Sequence, residues 1–318
     1  MKRNTRNLPL GILAIVSLLV TSACTGGSRG GTATTSEAPP ASPSPAATST
    51  VPPKPPVAIP TCDPMVVPPF DTANFTSPTK IDNQWIPLVP GTRIVLEGRA
   101  NQGGGVLPHR ITFTVTDLVK VINGVPTAVS WRVDMNEGQL AEADLEFFAQ
   151  DNDGNVWNFG QYPEEYLNGT FTGAPNTWTA GVSKAEAGVQ VPAQPRIGKA
   201  EVLQASAPEV GFLDCAKDVK TGDKICGPLG CYENVRVADE RSLLDPNAGI
   251  QRKLYAPGIG NVQVEAVGDP EGETLVLVER TTLSTQELAT ARDEAMKLDK
   301  HGREVQPAYR DTLALQAP

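Results

Sequence analysis

The first candidates for chemistry are acidic residues that alternate along one segment of the chain. Glu142, Asp144 and Glu146 recur at every second position, so in a β-strand they share one face. Alternate strand residues lie about 6.6–7 Å apart, within the carboxylate separations that glycoside hydrolysis uses. Glu164 and Glu165 add two further carboxylates. The same alternation is typical of the solvated face of a half-buried sheet, and we expect that structural role here.

Nucleophilic and metal chemistry have less support. His109 and His301 are the only histidines, so a site with three histidine ligands is excluded, and we expect His301 to be exposed. Residues 151–155 (Asp-Asn-Asp-Gly-Asn) begin like a calcium loop, but Val156 and Tyr162 occupy the positions of its required glycine and glutamate. We therefore interpret the segment as a turn, and we expect no catalytic residue, no metal site and no cofactor.

Four tryptophans are candidates to line a ligand groove: Trp85, Trp131, Trp157 and Trp178. Buried tryptophans that pack against a sheet are the commoner case. Trp178 is the best candidate for a ligand contact, because its segment is rich in Thr, Asn and Gly, as loops are.

Four cysteines predict two disulfide bonds. Cys62, Cys215, Cys226 and Cys231 form an even set, which in an exported domain indicates a disulfide framework. A predicted turn at residues 220–223 favours pairing Cys215 with Cys226, which leaves Cys62 for Cys231. The competing pairing joins Cys226 to Cys231 across the short segment between them. The spacing is poor for zinc, because structural zinc sites use close pairs that recur.

Residues 1–23 have the layout of a secretory signal peptide. Three basic residues precede a mostly apolar run at 8–20, which is too short for a comfortable membrane span. Residues 18–24 (Leu-Leu-Val-Thr-Ser-Ala-Cys) resemble a bacterial lipobox, whose cysteine receives a diacylglyceryl group. The resemblance implies a lipid anchor on Cys24, which would hold the protein on the extracytoplasmic face of the cell membrane.

The rest of the chain divides into a stalk and a domain. Residues 24–60 carry the lipidated cysteine and a disordered tether rich in Pro, Ser, Thr and Ala, which has little apolar surface to bury. Residues 61–318 are predicted to form a single β-rich extracytoplasmic domain. The formal net charge of -9 argues against nucleic acid as a partner.

The domain is predicted to be mostly β. Residues 111–116 alternate with period two, and Asn123-Gly124 is a strong hairpin signal before the next run. Residues 140–150 alternate again. Further strands are predicted at 198–205, 211–217, 232–240, 250–256, 261–268 and 273–282. Short connections between them favour a curved antiparallel meander sheet or a partial barrel.

A C-terminal helix completes the predicted fold. Ser284 and Glu287 form a capping-box pair, and Gly302 is a suitable end for the helix. Two positions for this helix stay open: it could plug the open face of the curved sheet, or lie loosely on the surface.

Four segments together suggest a family. They are residues 87–92 (Pro-Leu-Val-Pro-Gly-Thr), 148–160, 192–198 and 255–262 (Tyr-Ala-Pro-Gly-Ile-Gly-Asn-Val). In this order they resemble an uncharacterised family of secreted, often lipid-anchored bacterial β-rich domains found in actinobacteria, over residues 81–282. The resemblance implies the fold and the cellular location, but no activity or catalytic residues.

These features favour a lipid-anchored, non-enzymatic binding domain for an apolar ligand or an envelope protein. An apolar concave face left unfilled by side chains would favour the ligand, and a filled core would favour the protein partner. The alternatives are a hydrolase of envelope polymers that uses the strand carboxylates, and a purely structural envelope protein.

Overall fold

The computed structural model describes most of the predicted domain: Cys62 and residues 69–101, 105–245, 247–268 and 272–318. The predicted signal peptide (1–23), the lipid attachment at Cys24 and the stalk (24–60) lie outside the described residues, so they stay predictions.

The described residues are mostly β-structure, as predicted from the alternating patterns. The strands are β1 (Thr92–Asn101), β2 (Val106–Ile122), β3 (Val125–Asn136), β4 (Gln139–Gln150), β5 (Val156–Leu167), β6 (Thr170–Gly173), β7 (Trp178–Thr179), β8 (Glu186–Val191), β9 (Val202–Ala207), β10 (Phe212–Gly227), β11 (Gly230–Ser242), β12 (Ile250–Ala256), β13 (Gly260–Val267) and β14 (Thr274–Thr282). Two helices follow, α1 (Thr285–Val305) and α2 (Pro307–Arg310).

The sheet closes on itself. Twelve strands pair antiparallel in a ring, in the order β1-β2-β3-β4-β5-β8-β9-β10-β11-β12-β13-β14, and β14 pairs back with β1. The short strands β6 and β7 pair with β5 outside this ring. The structure is therefore a closed antiparallel barrel, more completely closed than the predicted curved meander sheet or partial barrel. Closure pairs the edges that an open sheet would leave exposed.

Turn chemistry sets the register of the hairpins. Asn123 and Gly124 connect β2 to β3 with φ values of 49° and 79°, so both turn positions have the positive φ that the sequence predicted. The turn before β5 is held by Asp151, whose carboxylate accepts hydrogen bonds from the backbone N–H of Asp153 and of Asn155. The same carboxylate accepts from Trp157 Nε1 at 2.8 Å. The interpretation of this segment as a turn is confirmed.

Helix α1 begins as predicted but packs in a different place. Ser284 and Glu287 form the capping box, whereas Gly302 lies within the helix and contacts the ring of Tyr162 instead of ending it. The helix neither plugs the sheet nor lies loosely. It packs on the outer face of β2 and β4, because its buried stripe meets their apolar residues. No helix in the described residues has the length and hydrophobicity of a membrane span.

A buried ion pair fixes α1 to the sheet. Lys120 of β2 is completely buried, and its Nζ donates to Asp299 Oδ1 of α1 at 2.8 Å. Asp299 also accepts from the hydroxyl of Tyr309 at 2.8 Å and from the backbone N–H of Leu315. Burial lowers the pKa of Lys120 despite this carboxylate. The ion pair therefore ties one strand, the helix and the C-terminal segment together.

The disulfide pairing differs from the favoured prediction. Cys62 pairs with Cys215, the core disulfide, across a sequence separation of 153 residues. Cys226 pairs with Cys231, the hairpin disulfide, at the tip of the β10–β11 hairpin. The predicted turn at 220–223 is wrong because β10 continues through it to Gly227. Cys226 and Cys231 are consequently opposite each other in the ladder, and the competing pairing is the one observed.

Candidate functional site

The candidate site is a cavity of about 90 Å³ that is lined by the strands of the sheet and is partly open to solvent. Its apolar wall comes mainly from β1, β2, β13 and β14: Ile94, Leu96, Ile111, Phe113, Val115, Val264 and Leu275. Residues 86–88 contribute a further apolar boundary. One water molecule needs about 10–15 Å³ of such a cavity, so the space corresponds to roughly six to nine waters or one small organic molecule.

A second part of the lining, here called the charged wall, is polar and charged. It is formed by side chains of β3, β4, β8 and β12 and of the segment before β14: Arg132, Glu146, Gln190, Lys253 and Glu273. A cavity with an apolar wall and a few convergent polar groups is the usual form of a small-molecule site.

The alternating acidic residues of β4 lie inside the sheet, not on a solvated face. Glu142 is 5%, Asp144 1% and Glu146 3% exposed. The structural role expected for them is therefore wrong. The opposite face of β4, with Leu145 and Phe147, is covered by α1 and the C-terminal segment. Alternation shows which residues share a face, but it cannot show that both faces are buried.

The ladder arranges the polar residues of β3, β4 and β5 in rows across the sheet. Ser130, Glu146 and Gln161 are register partners and form one row. The next row pairs Arg132 with Asp144. Register partners in an antiparallel sheet point to the same face, so these side chains share the interior with the cavity.

A third row, nearer the far end of the strands, joins Asp134, Glu142 and Glu165. Glu165 is half-buried. Burial, together with the neighbouring charge of Glu142, raises the pKa of Glu165 from 4.5 to about 7. Glu165 therefore shares in the interior cluster, whereas Glu164 points to the other face of β5.

Arg132 is the centre of this charged cluster. Its guanidinium contacts Asp134 at 3.4 Å and pairs closely with Glu142, and its Nε lies 3.9 Å from Asp144 and 3.8 Å from Glu146. Burial opposes the charge on Arg132, but these four carboxylates raise its pKa well above the ordinary value. Burial raises the pKa of Asp134. The charges of Arg132 and His109 lower it by less, so the pKa stays above its ordinary value.

His109 extends the cluster toward β14. Its Nδ1 lies 2.7 Å from Asn136 Oδ1, and its Nε2 lies 3.2 Å from Glu273 Oε1 and 3.8 Å from Asp134 Oδ2. Burial lowers the pKa of His109, but the hydrogen bond with Glu273 and the charge of Asp134 outweigh it, so the pKa is raised.

Two further ion pairs lie on the other side of the interior. Lys253 Nζ donates to Glu240 Oε2 at 2.5 Å, and Arg236 donates two hydrogen bonds to Asp218, at 2.6 and 3.0 Å. Each of these cations has its own carboxylate, so neither pair adds net charge to the cavity. Tyr255, which lines the cavity, donates to Glu240 at 3.2 Å.

Three polar atoms in the first row have no hydrogen-bond partner: Ser130 Oγ, Glu146 Oε1 and Gln161 Oε1. All three side chains are more than nine-tenths buried. Buried polar atoms almost always have a partner, so such atoms point to water or a ligand. Glu146 is the one of the three that lines the cavity.

His301 and Glu164 form a separate contact on the outer face of β5. Glu164 accepts hydrogen bonds from the hydroxyls of Tyr162 and Tyr166, and its Oε1 lies 2.6 Å from His301 Nδ1. His301 is therefore partly covered rather than exposed as expected. The predicted pair of Glu164 and Glu165 is divided between the two faces of the strand and cannot act on one substrate.

The tryptophans do not form the ligand groove considered above, since none of the four lines the cavity. Trp178 is 3% exposed and stacks on Phe212 at 5.3 Å between ring centroids, so the expectation of a ligand-contacting loop residue is wrong. Trp85 belongs to the same buried cluster as Tyr255, and Tyr255 lines the cavity.

The four cysteines of the domain are all engaged in disulfide bonds. In the part of the chain that the structure describes, the only group of three metal-ligating side chains with donor atoms within 4.8 Å of one another is Cys62, Glu201 and Cys215. The two cysteines of that group are joined in the core disulfide. A disulfide sulfur is not the thiolate that a metal requires.

Sequence reasoning missed Arg132, Glu273, Lys253, Ser130 and Gln161. A signal was available for the first of these: Ser130, Arg132 and Asp134 alternate with apolar residues in β3, just as the acidic residues do in β4. An arginine opposite Asp144 across a predicted hairpin indicates a cross-strand ion pair. The contribution of β12 and β14 depends on closure, which no local pattern encodes.

Comparisons with known proteins give structural neighbours only. No protein-family model and no curated protein sequence matches this chain. The structure is similar to a Bacteroides fragilis protein assigned as exported, with a YmcC-like fold, at 14% identity and a TM-score of 0.36. It is also similar to a Parabacteroides distasonis protein assigned as a lipoprotein, at 16% identity and a TM-score of 0.28. Each similarity covers 63% of this chain and 99% of the neighbour.

Similarities at this level do not carry a function from one chain to another. With no matching family, the resemblance to an actinobacterial family of secreted domains stays a prediction.

Proposed function

We propose that this protein is an exported lipoprotein whose domain binds a small amphipathic molecule inside its closed sheet. The observation that carries the proposal is the cavity of about 90 Å³ between an apolar wall and a charged wall. Interiors of proteins are normally packed to crystal density, so a cavity of this size lined by both kinds of group is a candidate binding site.

The unfilled interior favours an apolar ligand over a protein partner. A protein partner would need a surface, whereas the apolar side chains of β1, β2, β13 and β14 converge on the inside. The volume of the cavity also limits the size of the ligand. The space holds a short chain or a single ring, and a whole membrane lipid would require the sheet to expand.

The location at the membrane rests on different residues. The lipobox-like segment that ends at Cys24 suggests a lipid anchor, through which the protein would be attached to the membrane. The two disulfides support export, because such bonds persist in oxidising compartments and are rare in the cytosol.

The geometry favours a hydrolase of envelope polymers less than a binding role. Such an enzyme needs two carboxylates that flank a bond of an extended substrate. Glu142 and Glu146 are buried inside the sheet, and Glu142 is engaged with Arg132. One carboxylate of this pair is therefore held in an ion pair and is not free to act on a substrate.

Native mass spectrometry of the full exported chain tests the proposal. We expect the wild-type chain to carry a reproducible extra mass of a small organic molecule, or to take up added hexanol. The variant Val264→Phe places a ring in the cavity and should lose the extra mass. Val182→Phe is the matched control, since Val182 is exposed on the surface, and it should retain it. A wild-type chain that stays bare with and without hexanol contradicts the proposal.

A further inference from the structure

We infer that the molecule held inside the sheet is a small amine. Its protonated nitrogen would lie against Glu146, and its apolar body against Ile111, Val264 and Leu275. This inference rests on the proposed function and names the class of ligand. It follows from the hydrogen-bonding state of one row of side chains, from the charge of the interior, and from the division of the cavity into two walls.

The row of Ser130, Glu146 and Gln161 has more unsatisfied acceptors than unsatisfied donors. Oε1 of Glu146 and Oε1 of Gln161 are acceptors, and neither has a hydrogen-bond partner. Ser130 Oγ can donate or accept and is also without one. Glu146 is the member of this row that lines the cavity, so a ligand there can reach its Oε1 by supplying an N–H or O–H group. An alkylammonium has three N–H donors and can donate one of them to this oxygen.

The charge of the interior also selects a cation. Five carboxylates surround Arg132 and His109: Asp134, Glu142, Asp144, Glu146 and Glu273. With Arg132 and His109 both charged, the group still has an excess of negative charge. An added cation reduces the mutual repulsion of these carboxylates, which burial in a low dielectric makes strong.

Glu146 is the carboxylate placed to receive that cation. Glu146 lines the cavity. Its ion-pair partner is Arg132, whose Nε lies 3.8 Å from Oε1, too far for a hydrogen bond. The guanidinium of Arg132 is directed mainly at Glu142 and Asp134. A ligand nitrogen can therefore approach Glu146 from the cavity side.

The alternatives to an amine fit less well. An anionic ligand would face Glu146 and Glu273. The two cations that line the cavity are already paired with carboxylates, Lys253 with Glu240 at 2.5 Å and Arg132 with Glu142. A bare metal ion needs several ligand atoms at once. Among the described residues, the interior carboxylates do not bring three such atoms within 4.8 Å of one another. A metal would also leave the apolar wall unused.

Calorimetric titration of the full chain with three probes tests the inference. Hexylamine, hexanol and hexanoate share a chain length and differ in the head group. A charge-assisted hydrogen bond to a buried carboxylate corresponds to about tenfold to a hundredfold in affinity. We expect hexylamine to bind about tenfold to a hundredfold tighter than hexanol, and hexanoate to bind most weakly.

Two variants assign the preference to Glu146. Glu146→Gln removes the charge and keeps the shape, and it should reduce the affinity for hexylamine to that for hexanol. Glu97→Gln is the matched control, because Glu97 lies on β1, is partly exposed and pairs with Arg110 outside the cavity. It should leave the preference unchanged.

The outcomes separate the inference from the proposed function. Hexanol or hexanoate binding as tightly as hexylamine, or an unchanged preference in Glu146→Gln, overturns the amine and leaves a binding cavity. No binding of any probe overturns both. The ranking of the three probes on the wild-type chain does not depend on whether a variant folds.

Discussion

Replacing Glu165 by glutamine should stabilise the fold at alkaline pH. Glu165 faces Glu142 across β4 and β5, and its pKa is raised from 4.5 to about 7 by burial and by that charge. The folded state therefore binds the proton more tightly than the unfolded state. It follows that the contribution of Glu165 to the stability of the wild-type chain is fully present below about pH 4.5, falls as pH rises, and is lost above about pH 7.

The magnitude follows from the size of the difference in pKa. One pKa unit corresponds to about 1.4 kcal/mol, so the whole difference corresponds to roughly 3 kcal/mol. Because Glu165 is half-buried, solvent screening reduces this to about 1–2 kcal/mol. Glutamine carries no charge and keeps an oxygen to accept the hydrogen bond from Asn176.

Urea unfolding at pH 4 and pH 8, with the disulfides intact, measures the effect. The free energy of unfolding of Glu165→Gln should exceed that of the wild type by about 1–2 kcal/mol at pH 8 and equal it at pH 4. Glu186→Gln, at an exposed glutamate of β8, should show no such difference. A Glu165→Gln variant that is no more stable at pH 8 would refute the account of the interior charge.

Three further predictions concern the fold, each measured by urea unfolding. Asp299→Asn should destabilise the chain by about 3–5 kcal/mol, because it leaves Lys120 buried without its anion. Asp293→Asn is the control at an exposed aspartate of the same helix and should have little effect. Equal effects of the two substitutions would contradict the anchoring role of Asp299. Gly302→Ala should cost about 1–3 kcal/mol, since its Cβ would lie 2.7–2.9 Å from the ring of Tyr162, and a gain in stability would contradict this close contact. Removing the core disulfide should cost about 5 kcal/mol and removing the hairpin disulfide about 2 kcal/mol, from the sizes of the closed loops, and the reverse order would contradict the pairing.

Much of the fold could be predicted from local patterns. Alternation located the strands, Asn123-Gly124 located the first hairpin, and Ser284 with Glu287 located the start of α1, because each of these signals acts within a few residues. Closure of the sheet could not be predicted in this way. It depends on the pairing of β1 with β14, whose residues are far apart in sequence.

The site was harder to predict than the fold, for the same reason. The carboxylates Glu142, Asp144 and Glu146 were identified as one face, but their burial follows from closure of the sheet, while α1 covers the opposite face of β4. Trp178 was misjudged because its polar neighbours suggested a loop, whereas the short strand β7 packs it against Phe212. Tertiary contacts overrode local composition in both cases.

Anomalous diffraction from crystals soaked in a bromoalkylamine is the most direct test of the central claim, that the closed sheet holds a small molecule. The account predicts a bromine peak inside the sheet, against Val264 and Leu275, with the nitrogen near Glu146. Bromine found only on the outer surface, with the cavity holding water alone, would contradict it.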